Sequence, residues 1–256
     1  MKKILIKLVT GLIPVKQYRK ALREKLLAKF YCSKNSEIIS INPERTPASP
    51  KLNNKILLIE NGIEKEVPVD FFQGLKIILH GENCELRIYS PYRFGTSVIN
   101  IWSGAKFELK SSKYAIHSTQ FYIGADAIMS IGENFSCNGA LIANNVSTNF
   151  LTIGNDCMFS RNITVRADDG HVICKKGSRQ VINNSEGTKI GNHVWVGERA
   201  FIGKNVEVAD GCIVAACAVL TKGSSEENVI YAGVPAKIIK RDIEWYRENH
   251  NAFSTI

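Results

Sequence analysis

From Ile190 onward an aliphatic residue returns at every sixth position: Ile190, Val196, Ile202, Val208, Val214 and Leu220. A small residue follows each of the first five (Gly191, Gly197, Gly203, Ala209, Ala215). Another small or β-branched residue stands four places after each of them (Val194, Ala200, Val206, Cys212, Ala218). A period of six fits neither the 3.6-residue turn of an amphipathic helix nor the two-residue alternation of a half-buried strand. It fits a coil of three short flat strands with a turn at each corner. Two inward side chains per six residues fill a narrow triangular interior, and small residues sit where backbones crowd at the corners. Successive coils stack at the strand spacing of about 4.8 Å. One coil cannot bury its own core, so several must stack. The fold expected is therefore mainly β, a parallel β-helix.

The register continues upstream with less regularity. Ile153-Gly154-Asn155-Asp156-Cys157 leads to Phe159 and Val165, and Ile131-Gly132-Glu133-Asn134-Phe135 leads to Cys137. Segments beginning at Gly81, Gly104 and Gly124 look like degraded copies. Before them, Ile56–Ile59, Asn61-Gly62 and Ile63–Val67 read as a hairpin with a type I′ turn that caps the first coil. Residues 242–250, Asp-Ile-Glu-Trp-Tyr-Arg-Glu-Asn-His, read as a short C-terminal helix whose Trp245 covers the open end of the coil. The expected organisation is a basic helical arm over 1–30, an irregular β cap over 31–75, a β-helix over 76–240 and a helix over 241–256.

The rhythm stops at Val165 and resumes at Ile190, and the interruption over 166–189 maps to a loop leaving one side of the coil. Within it stands Asp168-Asp169-Gly170-His171. Imidazole suits a general base because it titrates near neutral pH. Carboxylates nearby could orient the ring and stabilise its protonated form, and a solvated loop histidine is the plainer reading. His193 sits inside a six-residue turn, where a polar corner residue needs no function, and His80, His117 and His250 have no motif around them. No two histidines stand at metal-ligand spacing, so no metal is expected.

Charge narrows the partners. The formal charge is +9, but residues 1–30 alone hold nine Lys/Arg against one acid, Glu24. The remaining chain, with 24 basic and 23 acidic residues, is nearly neutral. That speaks against nucleic acid, which would call for basic residues spread along a face. The apolar run Ile4–Ile13, broken by Lys7 and Gly11, is too short and charged to span a bilayer. The arm has two readings: a peripheral anchor on anionic lipid, or a helix packed on the body with a solvated basic face. Seven cysteines without an export signal or paired metal spacing indicate a reducing compartment. Five of them, Cys84, Cys137, Cys157, Cys212 and Cys217, read as small core fillers.

Over 131–240 the chain resembles the hexapeptide-repeat acyltransferases, above all the O-acetyltransferases of capsule and lipopolysaccharide assembly. It is similar at key spacings to maltose and galactoside acetyltransferases. The resemblance implies a left-handed winding and a cytoplasmic homotrimer with active sites between neighbouring chains. It implies acetyl-CoA as co-substrate and a saccharide acceptor. His171 lies nineteen residues before Ile190, where the family carries its catalytic base, and the Asp-Gly-His of capsule-type members is matched, with Asp168 and Asp169 beside it. Asn138, seven after Ile131, takes the place of an asparagine facing the acceptor and oxyanion, and a corner asparagine without function is its alternative. Trp195 takes the place of a tryptophan against the pantetheine arm and acceptor. Ala215, Ala216, Thr221, Lys222, Lys237 and Lys240 match the coenzyme end of the family. The stretch Gly223–Glu227 departs from the family pattern and is one residue longer. The implied activity is O-acetyl transfer to a sugar hydroxyl of a cell-surface polysaccharide or its precursor. N-acetyl transfer to an amino sugar or sugar nucleotide is the alternative, and a β-helix that only assembles is a third class.

Overall fold

The computed structural model describes residues 53–248. The arm over 1–30 and the beginning of the cap lie outside the described residues.

Among the described residues every regular element is a strand. Three sheets form three faces. Face I runs from Ile63–Glu66 and Lys55–Glu60 to Glu207–Val208, and face II from Phe94–Gly95 to Ala236–Lys240. Face III runs from Leu75–Leu79 to Val219–Leu220. The chain passes I to II to III and back to I, each strand pairing in parallel with its counterpart one coil on.

The six-residue period is met in full. The six recurring aliphatics from Ile190 to Leu220, and the five residues from Val194 to Ala218 that alternate with them, are at most 1% exposed. Each buried Val, Leu or Ile contributes roughly 1.5–3 kcal/mol, so the stacked interior dominates stability. Ile190 pairs with Val208, eighteen residues on, which is three sixes. Upstream the coils are larger. Leu86, Phe107, Met129 and Leu151 stack on face I at intervals of 21, 22 and 22 residues. The additional residues lengthen strands such as Ser97–Ile101 and Ala140–Asn144, five residues each, whereas Phe201–Ile202 has two. The wider interior takes phenylalanines: Phe107 against Phe121 at 5.3 Å, and Phe135 edge-on to Phe159 at 5.0 Å.

Left-handed backbone recurs at all three corners. Asn134, Asp156, His193, Gly211 and Asn228 have positive φ between faces I and II; Ser118, Asn162, Arg199 and Cys217 do so between II and III. Asn83, Gly104, Asp126, Thr148 and Asn205 repeat it between III and I. Asn and Asp tolerate this region better than other non-glycine residues, which is why they dominate. At the first corner each left-handed N–H donates to a carbonyl of the coil before, as from Asp156 to Glu133 and from His193 to Asn155.

The expected hairpin is present. Lys55–Glu60 and Ile63–Glu66 pair antiparallel across Asn61 and Gly62, both at positive φ as a type I′ turn requires. At the other end Ile230–Gly233 turns back into the antiparallel strand Ala236–Lys240.

Two expectations are corrected. Residues 241–248 form no helix. They form an irregular segment, with Ile243 and Trp245 buried and Arg247 half-buried, while Asp242, Glu244, Tyr246 and Glu248 are exposed. That alternation buries every second side chain against the I–II corner, which a helix could not do. Trp245 accordingly lies along the side of the coil on His193, not over its end. The second correction concerns Cys217, which is exposed because it takes a left-handed corner position, whereas Cys84, Cys137, Cys157 and Cys212 are buried.

Candidate active site

The loop leaves the coil at the III–I corner, between the strands Ile163–Arg166 and Thr188–Ile190. It forms a small hairpin of its own: Ile182 N–H donates to the Ile173 carbonyl at 2.8 Å and Lys175 N–H to the Gln180 carbonyl at 2.9 Å. Val172, Ile173 and Ile182 project from it more than half exposed.

Its root is held by the coil. Asp168 is buried, and its Oδ2 accepts the Asn145 backbone N–H at 3.0 Å and the Asn145 amide at 3.2 Å. Its Oδ1 accepts from Arg166 Nη2 at 3.2 Å. Asp169 Oδ2 faces Lys204 Nζ at 2.5 Å and the Asn183 amide at 2.8 Å. Lys204, with Asn183 next, holds the Asp169 carboxyl below the usual aspartate value. Asn183 also donates to the His171 carbonyl at 2.9 Å, and Lys204 donates to the Asn183 carbonyl at 2.6 Å. Gly170 has φ +79°, which turns the chain between the anchored aspartates and His171. A cavity of about 240 Å³ lies here, lined by Asn145, Asp168, His171, Val172, Val181 and Asn183. His171 is an exposed residue of its lining.

The aspartates thus bond to the coil and to the root of the loop. No motif in the sequence marks Asn145, Asn183 or Lys204. Lys204 belongs to a six-residue turn one coil on, and only the fold brings it under the loop.

The other expected residues fall elsewhere. Asn138 is exposed at the II–III corner, in a groove of about 750 Å³ with His117, Arg161 and Asn162. Ala215 and Ala216 follow the strand Ile213–Val214 at that same corner. Trp195 stands in face II between Met158 and Ile213 of the adjoining coils. Its indole N–H is buried without an acceptor among the described residues. A buried unspent donor costs about 1–3 kcal/mol, so it marks a place where an acceptor belongs. Thr221 and Lys222 are exposed beyond the last strand of face III, and Lys237 and Lys240 are exposed on the final strand of face II. Within one chain the structure gathers Asp168, Asp169 and His171 at one corner and leaves Asn138 at another and Trp195 in face II.

His193 is no free corner residue. Its Nδ1 lies 2.7 Å from Asp156 Oδ2 and its Nε2 lies 2.9 Å from the Trp245 carbonyl.

Comparison with known proteins accords with the repeat. The bacterial transferase hexapeptide (six repeats) family matches residues 187–222. A polysialic acid O-acetyltransferase of Escherichia coli O1:K1 / APEC is 38% identical over 97 residues, covering 38% of this chain and 31% of that protein. The galactoside O-acetyltransferase of Escherichia coli K12 is 28% identical over 139 residues, covering 53% of this chain and 66% of that one. The chain therefore spans about a third of the first relative and just under two thirds of the second. The crystal structure of the polySia-specific acetyltransferase NeuO superposes with a TM-score of 0.48 at 22% identity, covering 77% of this chain and 91% of that one. The resemblance read from the six-residue rhythm is met: the chain carries the hexapeptide repeat of bacterial transferases, and these relatives are O-acetyltransferases.

Proposed function

We propose that the protein transfers an acetyl group from acetyl-CoA to a hydroxyl of a cell-surface polysaccharide or its precursor, with His171 as general base. The observation that carries this reading is the loop root. Four coil and loop residues, Asn145, Arg166, Asn183 and Lys204, fix Asp168 and Asp169, and Gly170 turns the next residue, His171, to a cavity rim. That anchorage fixes the backbone that presents the imidazole, and the Asn183 amide donates to the His171 carbonyl itself. The relatives named above support acetyl transfer to a saccharide.

In the transfer, the acceptor oxygen bonds to the thioester carbonyl carbon while His171 removes the hydroxyl proton. The C–S bond breaks, and the proton passes from the imidazolium to the departing thiolate, which leaves as the free thiol. Acetyl-CoA supplies the activated acetyl group. Trp195 fits beside it, since its buried indole N–H has a donor to give to a carbonyl. Ala215, Ala216, Thr221, Lys222, Lys237 and Lys240 would hold the rest of the coenzyme, the lysines acting as point charges toward phosphate. Asn138 would face the acceptor.

Because His171 stands at the III–I corner and Trp195 in face II, one chain supplies only part of such a site. A second copy would complete it, and a homotrimer meets the requirement with three equivalent sites. Half-buried apolar residues on the outer surfaces of faces II and III, Met158, Ile213, Leu141, Phe201 and Val219, are available to such contacts.

The test is acetyl transfer from acetyl-CoA to polysialic acid and to a galactoside. His171→Ala is expected to slow turnover by roughly 10²–10⁴-fold with coenzyme affinity retained. Near-normal turnover would remove His171 from its role. Transfer to amino sugars alone would turn the reading to N-acetylation, and mass spectrometry of the host's surface glycan with and without the protein identifies the acceptor.

A further inference from the structure

The segment Ile243–Arg247 is bonded to the coil along its length. Ile243 N–H donates to the Asn228 carbonyl at 3.1 Å. The Trp245 ring lies flat on His193, with centroids 3.9 Å apart and planes 8° from parallel. Trp245 Nε1 donates to the His193 carbonyl at 2.8 Å, and His193 Nε2 lies 2.9 Å from the Trp245 carbonyl, so the pair is joined in both directions. Two residues on, the side chain of the half-buried Arg247 is only 14% exposed. Its guanidinium donates to Asp156 Oδ1 at 2.8 Å and to Ser136 Oγ at 2.7 Å. It also donates to the carbonyls of Asn134, Asp156 and Cys157 at 3.0–3.1 Å, and lies over the Tyr114 ring at 4.2 Å. The segment is clamped on both sides of Trp245.

What the clamp holds in place is a wall. Trp195 projects from a two-residue strand, with Met158 and Ile213 beside it in register along the stack. Those neighbours limit its movement along the coil axis. Sideways, toward the I–II corner, its neighbour is Trp245, at 6.1 Å between centroids and 48° between planes. His193 fixes Trp245, Asp156 fixes both His193 and Arg247, and Trp245 in turn bounds Trp195.

We propose that Trp245 is a positioning residue: clamped by His193 and Arg247, it holds the Trp195 indole with its unspent N–H directed to a ligand acceptor. This rests on the reading of Trp195 as a coenzyme contact. A donor that is buried yet without a partner keeps its direction only while the ring cannot turn to reach water or a nearby carbonyl. The C-terminal segment is then part of the ligand site without touching the ligand.

Two measurements test it in a Trp102→Phe background, where emission comes from Trp195 and Trp245. With Trp245→Phe added, emission is that of Trp195 alone, and acrylamide quenching should stay low because a flat ring still forms the wall. With Trp245→Ala, quenching of Trp195 should rise at least about twofold. Acetyl-CoA affinity by calorimetry should fall about 10-fold, as expected when a contact is misplaced, while Trp245→Phe should stay within about 3-fold of the parent. Unchanged Trp195 quenching and affinity in Trp245→Ala would overturn the proposal. If Trp245→Ala fails to fold, Trp245→Leu, which keeps apolar volume without a flat ring, is read by the same criteria. Should the parent protein not bind acetyl-CoA, the coenzyme reading fails, and the quenching comparison still decides whether Trp245 holds Trp195.

Discussion

Lys204 Nζ lies 2.5 Å from Asp169 Oδ2, so a residue of one coil ties down the loop thrown out by the coil before it. The same ammonium donates to the Asn183 carbonyl and joins both feet of the loop. Lys204→Met takes the ammonium from both acceptors and leaves Asp169 Oδ2 only the Asn183 amide. Amide exchange over 170–184 should quicken and acetyl transfer should fall about 10-fold. The unfolding temperature should drop only a few degrees, because the pair is partly solvated and such pairs are worth about 1 kcal/mol or less. Unchanged exchange in the loop would show that the hairpin is held by other means.

Acid should act on the same bond. The Asp169 carboxyl is held below its ordinary value, first by Lys204 and then by Asn183. A carboxyl depressed by folding stabilises above its unfolded value, near pH 4, and loses that contribution as pH falls through the lower folded value. Proteolysis of the loop by an acid protease should therefore rise below about pH 4 while the coil persists. Asp169→Asn should be cut readily at every pH.

If His171 and Trp195 of different copies form one site, two inactive variants should rescue each other. Random co-assembly of His171→Ala and Trp195→Ala chains in equal amounts would leave about a quarter of the sites with both native residues in a closed ring. Activity near that fraction of the parent is expected. Activity no greater than that of either variant alone would place both residues in one chain's site.

At Gly154 two coils pass with no room for a side chain. A methyl group on it would stand 2.5 Å from the Gly191 carbonyl oxygen of the next coil, although its φ is open to alanine. Gly154→Ala should cost about 1–3 kcal/mol, a fall of several degrees in calorimetry. A midpoint within a degree of the parent would mean that the coils part without strain.

The sequence announced the coil from Ile190 to Leu220 because each turn there is eighteen residues, and six divides it. From Leu86 to Leu151 a turn takes 21 or 22 residues. The same architecture then leaves no fixed period, only glycines and asparagines at the corners. The loop was visible as a gap in the rhythm, and its histidine by its neighbours. Its anchors were not, because Asn145 and Lys204 lie far from it in sequence and meet it only when the coils stack. Over 242–248 the expected helix gives way to a period of two, in which Ile243, Trp245 and Arg247 alternate with exposed neighbours.

Stacked parallel coils leave two ends that could each seed the next molecule and build a filament. Here the outermost described strand of face I, Ile63–Glu66, runs against its neighbour and is exposed, with Glu64, Lys65 and Glu66 along it. At the opposite end Ala236–Lys240 also runs in reverse and carries Lys237 and Lys240. A reversed, charged edge is a poor template for a parallel coil of another copy. On that face a second copy adding a coil would meet an antiparallel edge bearing two lysines.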